Sequence, residues 1–257
     1  MAIYDGIIFC SDMDGTMTDT KGVISKKNAE AIRYFQQNGG LFTVATGRPP
    51  YHPEKFSDIF VCNTYIIALN GSMIFDPMKR EFIEKHPLDD SAKYDIKKIM
   101  ETFSDVGHVQ IHGEEGHFAQ QQGEDADSFL GRINERMFDI MFIQNYEKTA
   151  KLKDSIPKAF PDYKFCRGWS EGLEMFSANA GKGNGVMKTK KLTDSRLAVT
   201  AGNYDNDIEM LLMADLGVCV SDSSPDVLAA ADIVTVDCNN DPIAVIIDEL
   251  RKEKPFK

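Results

Sequence analysis

Cysteine is sparse in this chain, and its pattern makes no framework. Cys10, Cys62, Cys166, Cys219 and Cys238 are odd in number, far apart and without a C-x-x-C pair. Such a set argues against a disulfide scaffold or a zinc ribbon and fits reduced thiols. Cys10 and Cys219 fall inside apolar runs, where a thiol packs as a small inert hydrophobe. No apolar run approaches the ~18 residues of a membrane span. The first residues also lack the basic region, apolar segment and small-residue cleavage site of a signal peptide, so a cytoplasmic location is expected. Positive charge is short as well: 29 Lys and Arg stand against 40 Asp and Glu, a formal net charge of −11. Nucleic acid and anionic membrane surfaces both need a positive patch, so neither is an expected partner. An anionic substrate would have to be drawn in by a few local cations.

What is present is ordinary globular material. With 257 residues, 42% hydrophobic and 27% charged, the chain can bury one large core or two moderate ones. Short apolar runs alternate with amphipathic stretches, the pattern of βαβ units around a parallel sheet. A strand is expected over residues 4–11. A helix follows, N-capped by Ser25, with Ala29, Ile32 and Phe35 on one face and a stop at Gly39-Gly40. A second strand is expected over 41–45, a helix after Pro49-Pro50, and a third strand over 65–69. Asn70-Gly71 then signals a hairpin into Met73-Ile74-Phe75.

Four clusters of polar residues interrupt this pattern. Asp12-Met13-Asp14-Gly15-Thr16 follows the run Ile7-Ile8-Phe9-Cys10, which puts two carboxylates where a buried strand ends. Ligands of open parallel sheets bind at that end of the strands, and a carboxylate pair there can hold Mg²⁺ or attack an electrophile. Asp and Gly also end many strands as plain loop. Thr46-Gly47-Arg48 closes the second run with a hydroxyl, a mobile N–H and a guanidinium. Lys182 stands among glycines in Gly181-Lys182-Gly183-Asn184-Gly185, as a ligand-binding cation or as a surface loop. Gly202-Asn203-Tyr204-Asp205-Asn206-Asp207 gathers acidic and amide oxygens after the run 197–201.

In this order and spacing the four clusters resemble the haloacid dehalogenase-like superfamily of phosphohydrolases, in its Cof-type sugar-phosphatase-like branch (type IIB). Asn70-Gly71 and Ala230-Ala231-Asp232 are softer matches, and the resemblance spans nearly the whole chain. It implies an α/β fold: a Rossmann-like parallel-sheet core domain with an inserted smaller α/β cap domain of the C2 type. Between Thr46 and Lys182 lie 135 residues, far more than one helix and one strand need. The insert is therefore expected over 87–180, with core segments at 1–86 and 181–257. Within it we expect helices over 91–103, 126–136 and 148–160. Strands are expected over 108–112, 117–121 and 140–144, with two more ending at Phe176. After Lys182 the alternation resumes, with strands at 197, 217–220 and 233–236, helices at 207–213, 225–231 and 242–250, and a fraying Lys-rich tail.

The resemblance also implies roles. Asp12 would be the nucleophile that forms an aspartyl-phosphate, and Asp14 the acid that protonates the leaving oxygen and then the base that activates water. The Met13 N–H, the Thr46 hydroxyl, the Gly47 N–H, Lys182 and Asn206 would hold the phosphoryl oxygens. The cofactor would be Mg²⁺, held by Asp12, Asp14 through its carbonyl, and Asn203, with Asp207 behind them; Asp207 also reads as a helix N-terminal charge. Asn203 departs from the family, which carries Asp there. An amide oxygen can ligate but brings no charge, so either weaker Mg²⁺ binding or lost catalysis follows. Arg48 reads as a phosphate ligand or as the partner of a core acid, and Asn70 as a turn residue. Arg167, Trp169, Glu171 and Glu174 cluster near the end of the insert, facing a leaving group or forming a solvated strand. His112 and His117 flank a turn and read as hairpin surface.

The expected partner is a small phosphorylated metabolite, with a sugar phosphate foremost. Two alternatives stay open: a phosphotransferase or phosphomutase with the same intermediate, and a non-catalytic binding protein disabled at Asn203. Monomer and dimer are both compatible with the sequence.

Overall fold

The computed structural model describes residues 2–103 and 105–252. Its elements in chain order are β1 (Ile7–Ser11), α1 (Lys26–Gln37), β2 (Leu41–Val44), β3 (Ile66–Ala68), β4 (Met73–Asp76), β5 (Glu81–Lys85) and α2 (Ala92–Thr102). Then follow β6 (His108–Gly113), β7 (His117–Ala119), α3 (Ala126–Gly131), β8 (Met137–Ile143), α4 (Tyr146–Ala159), β9 (Tyr163–Trp169) and β10 (Gly172–Ser177). The last third holds α5 (Lys182–Leu192), β11 (Leu197–Gly202), α6 (Ile208–Met213), β12 (Leu216–Cys219), α7 (Pro225–Ala230), β13 (Ile233–Val234) and α8 (Pro242–Leu250). Part of the Lys-rich tail lies outside the described residues. The chain divides into two compact units, one running to Glu84 and resuming at Gly181, the other spanning Lys85–Ala180.

The first unit is built on a parallel sheet in the order β13-β12-β11-β1-β2. The order of strands in the chain reverses at β1. A crevice opens at such a switch point, outside the carboxyl ends of the strands. Every residue of β1 is buried because both faces of the sheet are covered. Ile8 and Cys10 point to one side and pack with Ala45, Ile67, Val186, Ala198 and Met210. Phe9 points to the other, with its ring centroid 5.4 Å from Phe42 and 6.3 Å from Phe35 of α1. Period-two alternation thus sorts one apolar run into two half-cores. α1 forms where the sequence marks it, with the Ser25 hydroxyl accepting from the N–H of Asn28 at 3.0 Å.

The second unit is a five-stranded sheet, β7-β6-β8-β10-β9, with antiparallel neighbours. Ile96, Ile99, Leu152 and Ile156 of its helices bury against Val109, Ile111, Ile140, Phe142, Leu173 and Met175 of its strands.

Some expected elements come out shorter. The stretch after Pro49-Pro50 forms one 3₁₀ turn, His52–Phe56, where a helix was expected. Three prolines in five residues remove the N–H donors a longer helix would use. α3 ends at Gly131 instead of running on to residue 136, and β8 takes up the chain from Met137. None of the described helices is long and apolar enough to cross a membrane.

Candidate active site

Asp12 leaves β1 still within the ladder, its N–H donating to the Ala201 carbonyl at 2.8 Å. Beyond it the backbone makes a wide helical turn over Met13–Met17, closed by Thr18, whose N–H and hydroxyl both donate to the Met13 carbonyl. Gly15 adopts φ +77°, and a Cβ there would stand 2.5 Å from Nδ2 of Asn203. Glycine at 15 thus reverses the chain and admits Asn203 against the loop that carries Asp14.

Lys182 opens α5 and is fully buried. Its ammonium donates to Asp12 Oδ1 at 2.7 Å and to Asp207 Oδ1 at 2.6 Å. Burial alone would lower the Lys182 pKa, but the two carboxylates outweigh it, raise the pKa and hold the ammonium charged. Burial raises the Asp12 carboxyl to about 7, while the Lys182 charge pulls in the opposite direction. Asp207 is wholly buried, and its Oδ2 accepts from the N–H groups of Asn203 and Tyr204 at 2.8 and 3.1 Å. Both its oxygens are spent on protein donors. Asp207 therefore holds the Asn203 backbone and the Lys182 ammonium.

Thr46 lies beside this group at the end of β2. It is buried, its N–H donates to Ile67, and its hydroxyl accepts from the Arg48 N–H at 3.1 Å. Gly47 follows it, partly exposed. Arg48 pairs with Asp14, Nε to Oδ2 at 2.9 Å, with both side chains half exposed. Asn206 donates from Nδ2 to Oδ1 of Asn70 at 3.1 Å. The first unit thereby brings Asp12, Met13, Asp14, Thr46, Gly47, Arg48, Lys182, Asn203, Asn206 and Asp207 together at one end of the parallel sheet. Asn70 joins them, although the sequence offers it only as a turn residue.

Fit to Mg²⁺ can be judged from the donors. Among the described residues, no group of three or more His, Cys, Asp or Glu side chains is arranged to hold a metal ion. The donors that the resemblance implies, the Asp12 carboxylate, the Asp14 carbonyl and the Asn203 amide, offer hard oxygens of the kind Mg²⁺ prefers, and the Asn203 side chain does lie against the loop at Gly15. The residues fit the ion, with one carboxylate and two neutral donors.

The candidates in the second unit have other surroundings. Glu174 of β10 is 4% exposed, accepts from the Cys166 thiol at 3.6 Å, and lies against Gly168. Burial rules out a solvated strand at that residue. Trp169 stacks over Gly172, where a Cβ would come within 2.2 Å of the indole. Arg167 sits 5.9 Å from the Tyr146 ring centroid. His112 and His117 face each other across the β6/β7 hairpin with ring centroids 4.7 Å apart. Asp139 of β8 gave no signal in the sequence beyond being an acid in an apolar run. It is wholly buried, and neither carboxylate oxygen has a hydrogen-bond partner. Burial, and then the neighbouring Glu174, hold its pKa well above the usual carboxylate range.

Comparison with known proteins agrees with this geometry. The profile of the haloacid dehalogenase-like hydrolases matches residues 9–247. The Bacillus subtilis (strain 168) protein YxeH is 26% identical over 259 residues, covering 93% of this chain and 96% of its own. Phosphatase YwpJ of the same organism is 23% identical over 281 residues, covering 93% and 98%. Among solved structures, the HAD subclass IIB sugar phosphatase BT4131 superposes with a TM-score of 0.77 at 21% identity, covering 94% of this chain and 97% of that one. A parallel sheet with the Asp12 loop at its switch point, and a family match running from β1 into α8, lead to one assignment: this chain belongs to the haloacid dehalogenase-like hydrolase family.

Proposed function

We propose that the protein is a Mg²⁺-dependent phosphatase of a small phosphorylated metabolite, with a sugar phosphate as the leading class. The observation that carries this reading is the buried Lys182 ammonium, bonded at once to Asp12 and Asp207. It keeps a carboxylate ionised and aimed in a site whose burial would otherwise favour the neutral acid. Relatives named as phosphatases, and a structural neighbour named as a sugar phosphatase, support the reaction class.

In the proposed reaction an Asp12 oxygen attacks phosphorus as the bond to the leaving oxygen breaks. Asp14 gives its proton to that oxygen. Asp14 then takes a proton from water, which attacks the same phosphorus and releases phosphate from Asp12. The Met13 and Gly47 N–H groups, the Thr46 hydroxyl, the Asn206 amide and Lys182 neutralise charge on the phosphoryl oxygens. Asp12, the Asp14 carbonyl and Asn203 would hold Mg²⁺, which supplies the positive charge needed where a phosphate dianion meets two carboxylates. Until a substrate arrives, Arg48 holds Asp14 by the ion pair described above. We assign the second unit the part of the family's cap. Five unbridged cysteines suit a reducing cytoplasm.

The test is phosphate release from an aryl phosphate across a wide Mg²⁺ titration, with Asp12→Asn alongside. Turnover that requires both Mg²⁺ and Asp12 is expected. Release that persists in Asp12→Asn, or no release at any Mg²⁺ concentration, overturns the proposal.

A further inference from the structure

Leu69, Asn70 and Gly71 follow one another at φ +46°, +52° and +82°. Gly71 takes this conformation freely, whereas a leucine there is a rare and strained choice. Leu69 and Asn70 are 2% and 1% exposed, so the strain is not relieved by solvent-side freedom. Backbone held in a sparsely populated region persists only where its surroundings impose it, and such segments concentrate at functional sites.

The surroundings here are the phosphate-binding loops themselves. The Leu69 N–H donates to the Arg48 carbonyl at 3.1 Å, and the Asn70 N–H to the Thr46 carbonyl at 3.0 Å. The N–H of Gly181, which caps the helix begun by Lys182, donates to the Asn70 carbonyl at 2.9 Å. The Asn70 side chain then accepts from Asn206 at 3.1 Å. One short turn is bonded to the loops of Thr46, Lys182 and Asn206. These loops belong to sequence segments that share no local structure.

The side-chain bond has the most direct chemical consequence. A primary amide has two N–H donors and one carbonyl acceptor. Anchoring one Asn206 N–H on the side-chain oxygen of Asn70 fixes which end of the Asn206 amide is presented. The amide cannot exchange its two ends without breaking that bond, which reserves its second N–H for an anion.

We infer that Asn70 is a positioning residue for phosphate: it orients the Asn206 amide and ties the Thr46 and Lys182 loops to it. The inference rests on the phosphatase reading above. Asn70→Gly tests it cleanly, because glycine adopts φ +52° without strain and keeps the backbone N–H and carbonyl while deleting the amide. Binding of inorganic phosphate to the full chain in the presence of Mg²⁺ is measured by calorimetry, together with urea unfolding. Asn70→Gly is expected to weaken phosphate binding about tenfold while leaving stability unchanged or raised. Asn206→Ala should weaken it similarly, and adding Asn70→Gly to Asn206→Ala should cost less than about twofold more, as a double-mutant cycle requires when one residue acts through the other. Unchanged phosphate affinity in Asn70→Gly, parallel loss of affinity and stability, or full additivity in the double variant each overturns the inference. A parent chain that binds no phosphate overturns the phosphatase reading and the inference with it. Binding by the parent that survives Asn70→Gly removes the inference alone.

Discussion

A Cβ on Gly71 would stand 2.1 Å from the carbonyl oxygen of Gly181. The two glycines let the turn after β3 meet the N-terminus of α5, the helix whose first residue is Lys182. Gly71→Ala must move backbone on one side or the other, at a position already at φ +82°. A loss of more than about 1 kcal/mol in urea unfolding is expected, with a sharp fall in aryl phosphate turnover. A variant with unchanged stability would mean that this approach is loose.

The Lys182 ammonium bonds two buried carboxylates at once. Lys182→Met leaves Asp12 and Asp207 facing each other without it. Breaking a buried pair by removing one partner costs about 3–5 kcal/mol. We expect the variant to melt well below the parent at neutral pH and to lose turnover. A melting temperature indistinguishable from the parent's would show that the charge balance is supplied elsewhere.

Asp139 should make the chain less stable as pH rises. Its folded pKa is raised by burial above the unfolded value, so the stability tied to its protonated form is complete below the unfolded pKa of about 4. That stability is lost as pH climbs toward the folded pKa. A carboxamide at this position cannot titrate, so Asp139→Asn is expected to be more stable than the parent at about pH 8, by about 1 kcal/mol or more, with the gain shrinking toward about pH 5. Urea unfolding at the two pH values measures this. A gain that is constant with pH would mean that Asp139 is ionised in both folded and unfolded states over this range, so that its folded pKa is not raised.

Asn203→Asp adds a charge to the donors proposed for Mg²⁺, at a side chain that lies against Gly15. Affinity for hard cations rises with the number of charged ligands, and roughly a tenfold gain in Mg²⁺ affinity is expected by calorimetry on the full chain. Turnover should saturate at correspondingly lower Mg²⁺. Equal affinities would place Asn203 outside the metal's ligands.

Local signals in the sequence were enough for much of the fold. Ser25 caps α1 because its hydroxyl reaches only three residues along the chain, and β1 reads as buried on both faces because all five of its residues are. Elements failed where a nearby residue overrode the periodicity, as prolines did at 49–53 and Gly131 did in α3. The site loops were legible as clusters of polar residues at strand ends. Their wiring was not, because it is made across the chain. The bond from Asn206 to Asn70 spans 136 residues, and nothing near Asp207 in sequence indicates that Lys182 takes one of its oxygens. Asp139 shows the same limit: period two gives an acid on one face of β8 without telling what covers that face.

The distance between Asp12 and Lys182 along the chain, 170 residues, also sets an order of events during translation. The amino-terminal segment leaves the ribosome with β1 able to pair only with β2, because β11, its other neighbour, is among the last strands made. Asp12 then has neither its ammonium nor a complete sheet around it, and water solvates it at no cost. The carboxylate is withdrawn from solvent only when the segment that carries its counter-charge, and the strand that follows, emerge. The nascent protein therefore never has to bury that charge alone, and the pairing of Asp12 with Lys182 is one of the closing steps of folding.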